Sequence, residues 1–200
     1  MDERSRVGKK VRWLAKAGIL TAVAVVLMYL EFPIPLMPDF LKFDFSEVPV
    51  LLAAFSMGPL AAIAIEFVKN LIHLPFTMTG GIGELANFLV GACFVGTAGW
   101  IYKVRKTRKG ALAAMGFGTL ALIVGGVVIN YFITLPFYIN VMEFPLEAII
   151  GMATSAGNTV VDGMFTLLLY VFVPFNLFKG VVISFVVYLL YKRLSPLLHK

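Results

Sequence analysis

Long apolar stretches separated by short polar interruptions dominate the chain, and most of those stretches approach the length of a bilayer-spanning helix, about 20 residues. Residues 13–30 come close to that length. A loop between Pro33 and Pro49 follows, in which Pro35 and Pro38 block helix continuation. Two shorter apolar runs, 50–57 and 60–72, are parted by Gly58-Pro59. The loop 73–83 carries Gly80, Gly81 and Gly83 and marks a turn. Residues 85–102 and 111–136 read as clear spans, and 175–191 as the last. Between these two lies a stretch from Phe144 to Pro174 whose second half, 164–173, is strongly apolar but too short to cross alone.

Charge placement orients the segments. Of 17 Lys and Arg, six precede residue 17 (Arg4, Arg6, Lys9, Lys10, Arg12, Lys16), five crowd into Lys103, Arg105, Lys106, Arg108 and Lys109, and three close the chain at Lys192, Arg193 and Lys200. Basic residues flanking membrane spans stay on the cytoplasmic side. Both termini and loop 103–109 are therefore expected in the cytoplasm. Four crossings from a cytoplasmic start return the chain to that side at 103–109 and three do not, so 50–57 and 60–72 read as two short helices. The same parity makes 164–173 a re-entrant or externally packed segment, covered by protein or lining a cavity. The expected fold is an all-α integral membrane protein, one domain over residues 1–200. It has six transmembrane helices, a long external first loop and a partly re-entrant segment before the last helix.

Composition narrows the function classes. With 60% hydrophobic and 14% charged residues, the chain is too apolar for a soluble domain. Its net charge of +6 sits at membrane flanks and not on an amphipathic face, which argues against nucleic acid as a partner and for lipid. Cys93 is the single cysteine and forms no internal disulfide. The chain lacks a phosphate-loop motif, and His73 and His199 stand too far apart to act as a metal pair. Thr154-Ser155-Ala156-Gly157 has the look of an intramembrane serine-protease turn, but no helix-borne His accompanies it. No enzyme activity, metal or resident cofactor is expected.

The few polar residues within the apolar segments fall at one depth. Glu66, Lys69 and Asn70 share a face of the third helix, toward its outer end. Glu84 and Asn87 open the fourth helix from outside. Asn130 lies in the outer third of the fifth, near Tyr131 and Tyr138, and Asn176 and Lys179 begin the sixth. The first loop adds Lys42 and Asp44. Polar side chains at membrane depth are costly unless they pair or face a cavity, so their convergence points to a water-accessible pocket open to the outside. Structural readings stand beside this one. Glu66–Lys69 is also an ordinary ion pair, Glu84 suits a helix amino terminus, Asn130 and Asn176 suit interhelical hydrogen bonds, and His73 suits an interfacial loop. Lys179 has no acid within one turn and is the hardest to assign to scaffold. Ala15, Gly18 and Ala22 form a small-residue face on the first helix, fit for close packing within the chain or against another helix.

Particular runs carry a family resemblance: Pro38-Asp39-Phe40-Leu41-Lys42-Phe43-Asp44-Phe45-Ser46-Glu47-Val48-Pro49, then Met57-Gly58-Pro59-Leu60-Ala61-Ala62 and Glu66-Phe67-Val68-Lys69-Asn70. Gly83-Glu84-Leu85-Ala86-Asn87-Phe88, Asn130-Tyr131 and Pro174-Phe175-Asn176-Leu177-Phe178-Lys179-Gly180 continue it in order along nearly the whole chain. With these runs the chain resembles the riboflavin-specific substrate-capture subunits (S components) of energy-coupling-factor transporters. The resemblance implies riboflavin as transported ligand, docking on a transmembrane coupling subunit driven by two ATPase subunits, and a first external loop that covers the vitamin. It implies Leu41, Lys42, Asn130 and Lys179 as flavin contacts, with Glu84, Asn87 and Asn176 as further candidates, and Gly18 and Ala22 as the docking face. Asn130 suits the alternating acceptor–donor–acceptor edge of the flavin ring, and Phe43, Phe45, Tyr131 or Phe137 its faces. Two alternatives remain open: a capture subunit for another vitamin such as thiamine or biotin, and a stand-alone secondary carrier, against which the lack of clear inverted halves argues.

Overall fold

The computed structural model describes residues 3–198. Expectations resting on residues 1–2 and 199–200, among them Lys200 and His199, lie outside the described residues, as do those resting on the side chains of 3–6, 9 and 192–198. Helix α1 (Glu3–Tyr29) leads into a short antiparallel ribbon, β1 (Phe32–Pro33) with β2 (Lys42–Phe43), in which Phe32 faces Phe43 and Pro33 faces Lys42. Helices α2 (Glu47–Met57) and α3 (Pro59–His73) follow, then α4 (Ile82–Val104) and α5 (Arg108–Ile129). The remainder comprises α6 (Leu135–Asn140), α7 (Leu146–Ser155), α8 (Met164–Leu167) and α9 (Val173–Leu198).

Gly58 separates α2 from α3, as the sequence predicted. Its φ of 98° and ψ of 168° belong to a region open essentially to glycine, and Pro59 restarts the helix where its missing N–H costs nothing. Five helices among the described residues are long and apolar enough to cross a bilayer, where the sequence pattern predicted six spans. The difference is α2, which has 11 residues and a reach of about 16 Å at 1.5 Å per residue. It is buried from Glu47 to Phe55, so protein rather than lipid covers it. It covers only part of the bundle's length, from the buried polar layer toward the basic loop. Glu47 stands at the level of Gly91, midway along α4, while the Phe55 ring centroid lies 4.5 Å from that of Tyr102, next to the basic loop, and 6.1 Å from that of Tyr191.

The expected re-entrant segment is a correction. Residues 164–173 are not a separate element but the first turns of the last helical rod, Met164–Tyr191. α8 and α9 are joined by a π-helical turn, Leu168–Phe172, and a second such turn, Asn130–Thr134, joins α5 to α6. Each π turn is followed within two residues by a proline, Pro174 and Pro136. Proline lacks an N–H, and its ring crowds the carbonyl four residues back. Widening the helix by one residue relieves both problems without ending it. The two prolines that read as helix ends are therefore helix-internal.

Two apolar clusters hold the molecule. The larger is built from α1 to α5 and α9 around Leu51, Phe94, Leu122 and Ile183. The smaller gathers α6, α7, α8 and the following π turn around Ile149, Leu167 and Phe172, with Met37, Phe40 and Leu41 of the first loop packed on it. α1 is peripheral. Of its described residues only Ala24 and Met28 are buried, and Gly18 and Ala22 are exposed, which removes the internal-packing reading of that face.

Candidate functional site

A cavity of about 470 Å³ lies at the seam between the two clusters, at the end of the bundle away from the basic loop. All seven residues singled out in the sequence line it: Leu41, Lys42, Glu84, Asn87, Asn130, Asn176 and Lys179. They come from the first loop, α4, α5 with its π turn, and α9. The volume falls in the usual small-molecule range of about 300–1,000 Å³.

Beneath the cavity sits a charged cluster. Lys69 is fully buried. It donates to Ser46 Oγ at 2.7 Å and Glu47 Oε1 at 2.9 Å, and its ammonium lies 2.9 Å from Glu66 Oε2. Glu66 and Lys69 are three apart on α3, so the ion pair read from the sequence is present. What the sequence did not reveal is Glu47, at the start of α2, as a second buried acid on the same lysine. Nor did it reveal how closely α4 approaches: a Cβ on Gly91 would lie 2.5 Å from Glu66 Oε1 and 3.0 Å from Glu47 Oε1, so any larger residue displaces the carboxylates.

Lys179 contrasts with Lys69. Its ammonium donates to Asn87 Oδ1 at 3.2 Å and stands 3.7 Å from Asp44 Oδ2 and 3.8 Å from Glu47 Oε1. These are looser contacts at a cavity wall. Burial alone would raise the Asp44 carboxyl, but the Lys179 and Lys69 ammonium groups and the Ser46 hydrogen bond outweigh it and hold the group below its ordinary value. Asn87 Nδ2 donates to Asn70 Oδ1 at 3.0 Å, and Asn70 Nδ2 donates to Glu66 Oε1 at 3.0 Å. Lys179, Asn87, Asn70, Glu66, Lys69 and Glu47 thus close a ring across α9, α4, α3 and α2.

The remaining candidates have distinct settings. Asn130 Nδ2 donates to the Gly126 carbonyl at 2.7 Å and Asn176 Nδ2 to the Phe172 carbonyl at 2.8 Å, each within its own helix. Glu84 ties down the 74–81 loop: Oε1 lies 3.1 Å from His73 Nδ1, and Oε2 accepts from Thr77 at 2.7 Å and Thr79 at 3.3 Å. Lys42 forms a 2.6 Å ion pair with Glu31 at the partly exposed rim. Glu47 and Thr134, neither of them a candidate from the sequence, also line the cavity, as does His73, which the sequence assigned to an interfacial loop; the buried Thr134 hydroxyl has no hydrogen-bond partner among the described residues.

The aromatic candidates need correction. Phe43, Phe45, Tyr131 and Phe137 do not line the cavity; its aromatic walls are Tyr29, Phe40, Phe76, Tyr138, Phe172 and Phe175. Strand alternation explains Phe43: with Lys42 on the cavity side, its neighbour turns to the opposite face and packs on Phe32, Phe45 and Phe178. Tyr131 follows Asn130 by one helical position and faces outward, stacking on Phe132.

The fold and cavity define a class: a multi-pass membrane protein carrying a part-polar, small-molecule-sized cavity at one end of its helical bundle. A family model, "ECF transporter, substrate-specific component", matches residues 12–191. The chain belongs to that family, whose members are transport components and not enzymes. It is 38% identical over 190 residues to a Staphylococcus aureus protein named riboflavin transporter RibU, covering 94% of this chain and 92% of that one. It is 36% identical over 191 residues to a Bacillus subtilis protein named riboflavin transporter FmnP, covering 94% of each. A solved structure described as the S component of a bacterial ECF transporter matches with a TM-score of 0.73 at 36% identity, over 96% of this chain and 99% of the other.

The two lysine pairs differ in burial, which sets a test. Lys69→Ala leaves two buried acids short of a cation and is expected to cost about 3–5 kcal/mol. Lys42→Ala removes a rim pair worth about 0.2–1 kcal/mol. Thermal unfolding of the purified protein in detergent should separate the two variants clearly; equal small losses would contradict the assignment of Lys69 as scaffold.

Proposed function

We propose that this chain captures riboflavin from outside the cell and, docked on an energy-coupling transmembrane subunit with two ATPase subunits, takes part in its uptake across the cytoplasmic membrane. The carrying observation is that Leu41, Lys42, Glu84, Asn87, Asn130, Asn176 and Lys179, distributed over more than 130 residues of sequence, meet in one cavity of suitable size. Family membership and two relatives named as riboflavin transporters support the same reading. In this reading the whole chain acts as one membrane-embedded binding unit. Lys179 and Asn130 hydrogen-bond polar edges of the vitamin, Phe40, Phe172 and Phe175 pack against its ring, and Lys42 and Leu41 approach from the first loop. Asn87 and Asn176 add polar contacts, while Glu84, with both oxygens engaged, shapes the mouth.

Purified protein should quench riboflavin fluorescence at micromolar concentration or below, and thiamine and biotin should not compete. Lys179→Ala or Asn130→Ala should weaken binding by about 1–3 kcal/mol, the cost of a lost buried partner. No quenching, or competition by either other vitamin, would remove riboflavin as the ligand.

Orientation follows from charge: both termini and loop 103–109 face the cytoplasm, and the cavity opens outward. A cysteine placed at Lys106 should resist a membrane-impermeant label in intact cells, whereas one at Pro38 should react. Reversal of that pattern would invert the topology and close the route to external vitamin.

The coupling subunit docks on the exposed face of α1 around Gly18 and Ala22, where a Cβ added to Gly18 would meet nothing within 4 Å. Ala22→Trp should abolish cellular uptake while leaving riboflavin binding to the isolated subunit intact. Normal uptake would place the docking face elsewhere.

A further inference from the structure

We propose that Asn70, which lies outside the cavity, is a positioning residue: it fixes the amide orientation of Asn87 on the cavity wall and thereby makes the Asn87–Lys179 corner a pair of donors for a ligand oxygen. The inference rests on the reading that riboflavin occupies this cavity.

The orientation follows from the two ends of the chain of hydrogen bonds. Lys179 only donates, so Asn87 must turn its Oδ1 toward the ammonium, 3.2 Å away. At the other end stands the Glu66 backbone carbonyl, which only accepts, so Asn70 must turn its Nδ2 toward it, 2.9 Å away, with Glu66 Oε1 3.0 Å from the same nitrogen. The link between the amides, Asn87 Nδ2 to Asn70 Oδ1 at 3.0 Å, is then the sole arrangement that satisfies both. Reversing the two amides together would set N–H against ammonium at one end and oxygen against the Glu66 carbonyl at the other. Asn70 is thus held by its own helix, one turn earlier on α3. It is buried and touches no part of the cavity surface. Asn87 therefore inherits its orientation from a residue the ligand never meets. One Nδ2–H of Asn87 goes to Asn70 and the other remains, beside the spare N–H groups of Lys179. The group recognised at this corner is an acceptor, a carbonyl or hydroxyl oxygen of the vitamin.

Two substitutions separate positioning from scaffold. Asn70→Leu removes the acceptor for Asn87. Asn70→Asp keeps that acceptor but places a carboxylate against Glu66. Positioning predicts opposite rankings: N70D should unfold at a lower temperature than N70L, yet bind riboflavin more tightly than N70L. N70L should weaken binding about five- to tenfold, the scale of one neutral hydrogen bond. That loss should vanish in an Asn87→Ala background, because the residue being oriented is gone. Fluorescence titration and thermal unfolding of the full chain in detergent read both quantities. The inference is overturned if N70L binds like the wild type, if its loss multiplies with that of N87A, or if N70D binds more weakly than N70L. Should N70L fail to fold, N70D within about twofold of wild-type affinity upholds positioning, and a loss as large as that of N87A refutes it. A wild type that does not quench riboflavin overturns the proposed function together with this inference, which distinguishes the two failures.

Discussion

The structure is organised around one ammonium group. Lys69 sits at the bottom of the polar layer with no exposure to solvent, and Ser46, Glu47 and Glu66 converge on it within 2.9 Å. A lone charge at that depth would be untenable, and a pair with imperfect geometry is barely better than none. The requirement that Lys69 be surrounded therefore constrains everything close by. It fixes the start of α2, because Ser46 and Glu47 must reach it. It fixes the spacing of α3 against α4, because the two carboxylates need the space a side chain at Gly91 would fill. Through Glu47 it also touches Lys179, and so ties the scaffold to the cavity wall.

The cavity is placed by a different constraint, the meeting of two apolar clusters that do not merge. α2, α3 and α4 supply one side. The first loop, α6 and the last helical rod supply the other. Phe172 belongs to the smaller cluster and lines the cavity, and Phe40 of the first loop packs beside it with ring centroids 6.4 Å apart. The first loop is thus not a cover laid over a finished site. It is part of the hydrophobic packing that makes one wall.

Much of this was legible in the sequence because membrane spans give direction as well as position. Once basic loops orient each helix, a polar residue has a depth, and Asn87, Asn130 and Lys179 were placed together without knowledge of any contact. What failed to show had local causes. Pro136 and Pro174 read as helix ends because proline usually ends helices; here each is absorbed by a π turn, an outcome that depends on packing around the rod. Glu47 was passed over because it closes a polar loop, and nothing in the string of residues says that the loop ends inside the bundle. Phe43 and Tyr131 were the wrong aromatics for a simpler reason. They adjoin cavity residues in sequence, and in strand and helix alike an adjacent side chain points elsewhere.

The division of the buried charges between α2 and α3 carries an implication for how each acid meets its cation. Glu66 and Lys69 lie on one helix, three residues apart, so α3 can join them before any other helix arrives. Glu47 has no such partner on α2, and α2 is too short to persist as an independent span. The two acids are accordingly held in different ways on the two sides of Gly58. α3 carries Glu66 and Lys69 joined within its own length, while Glu47 meets its cation only where α2 packs on α3. One acid is thus a matter of helix spacing and the other of helix packing, and a single glycine divides them.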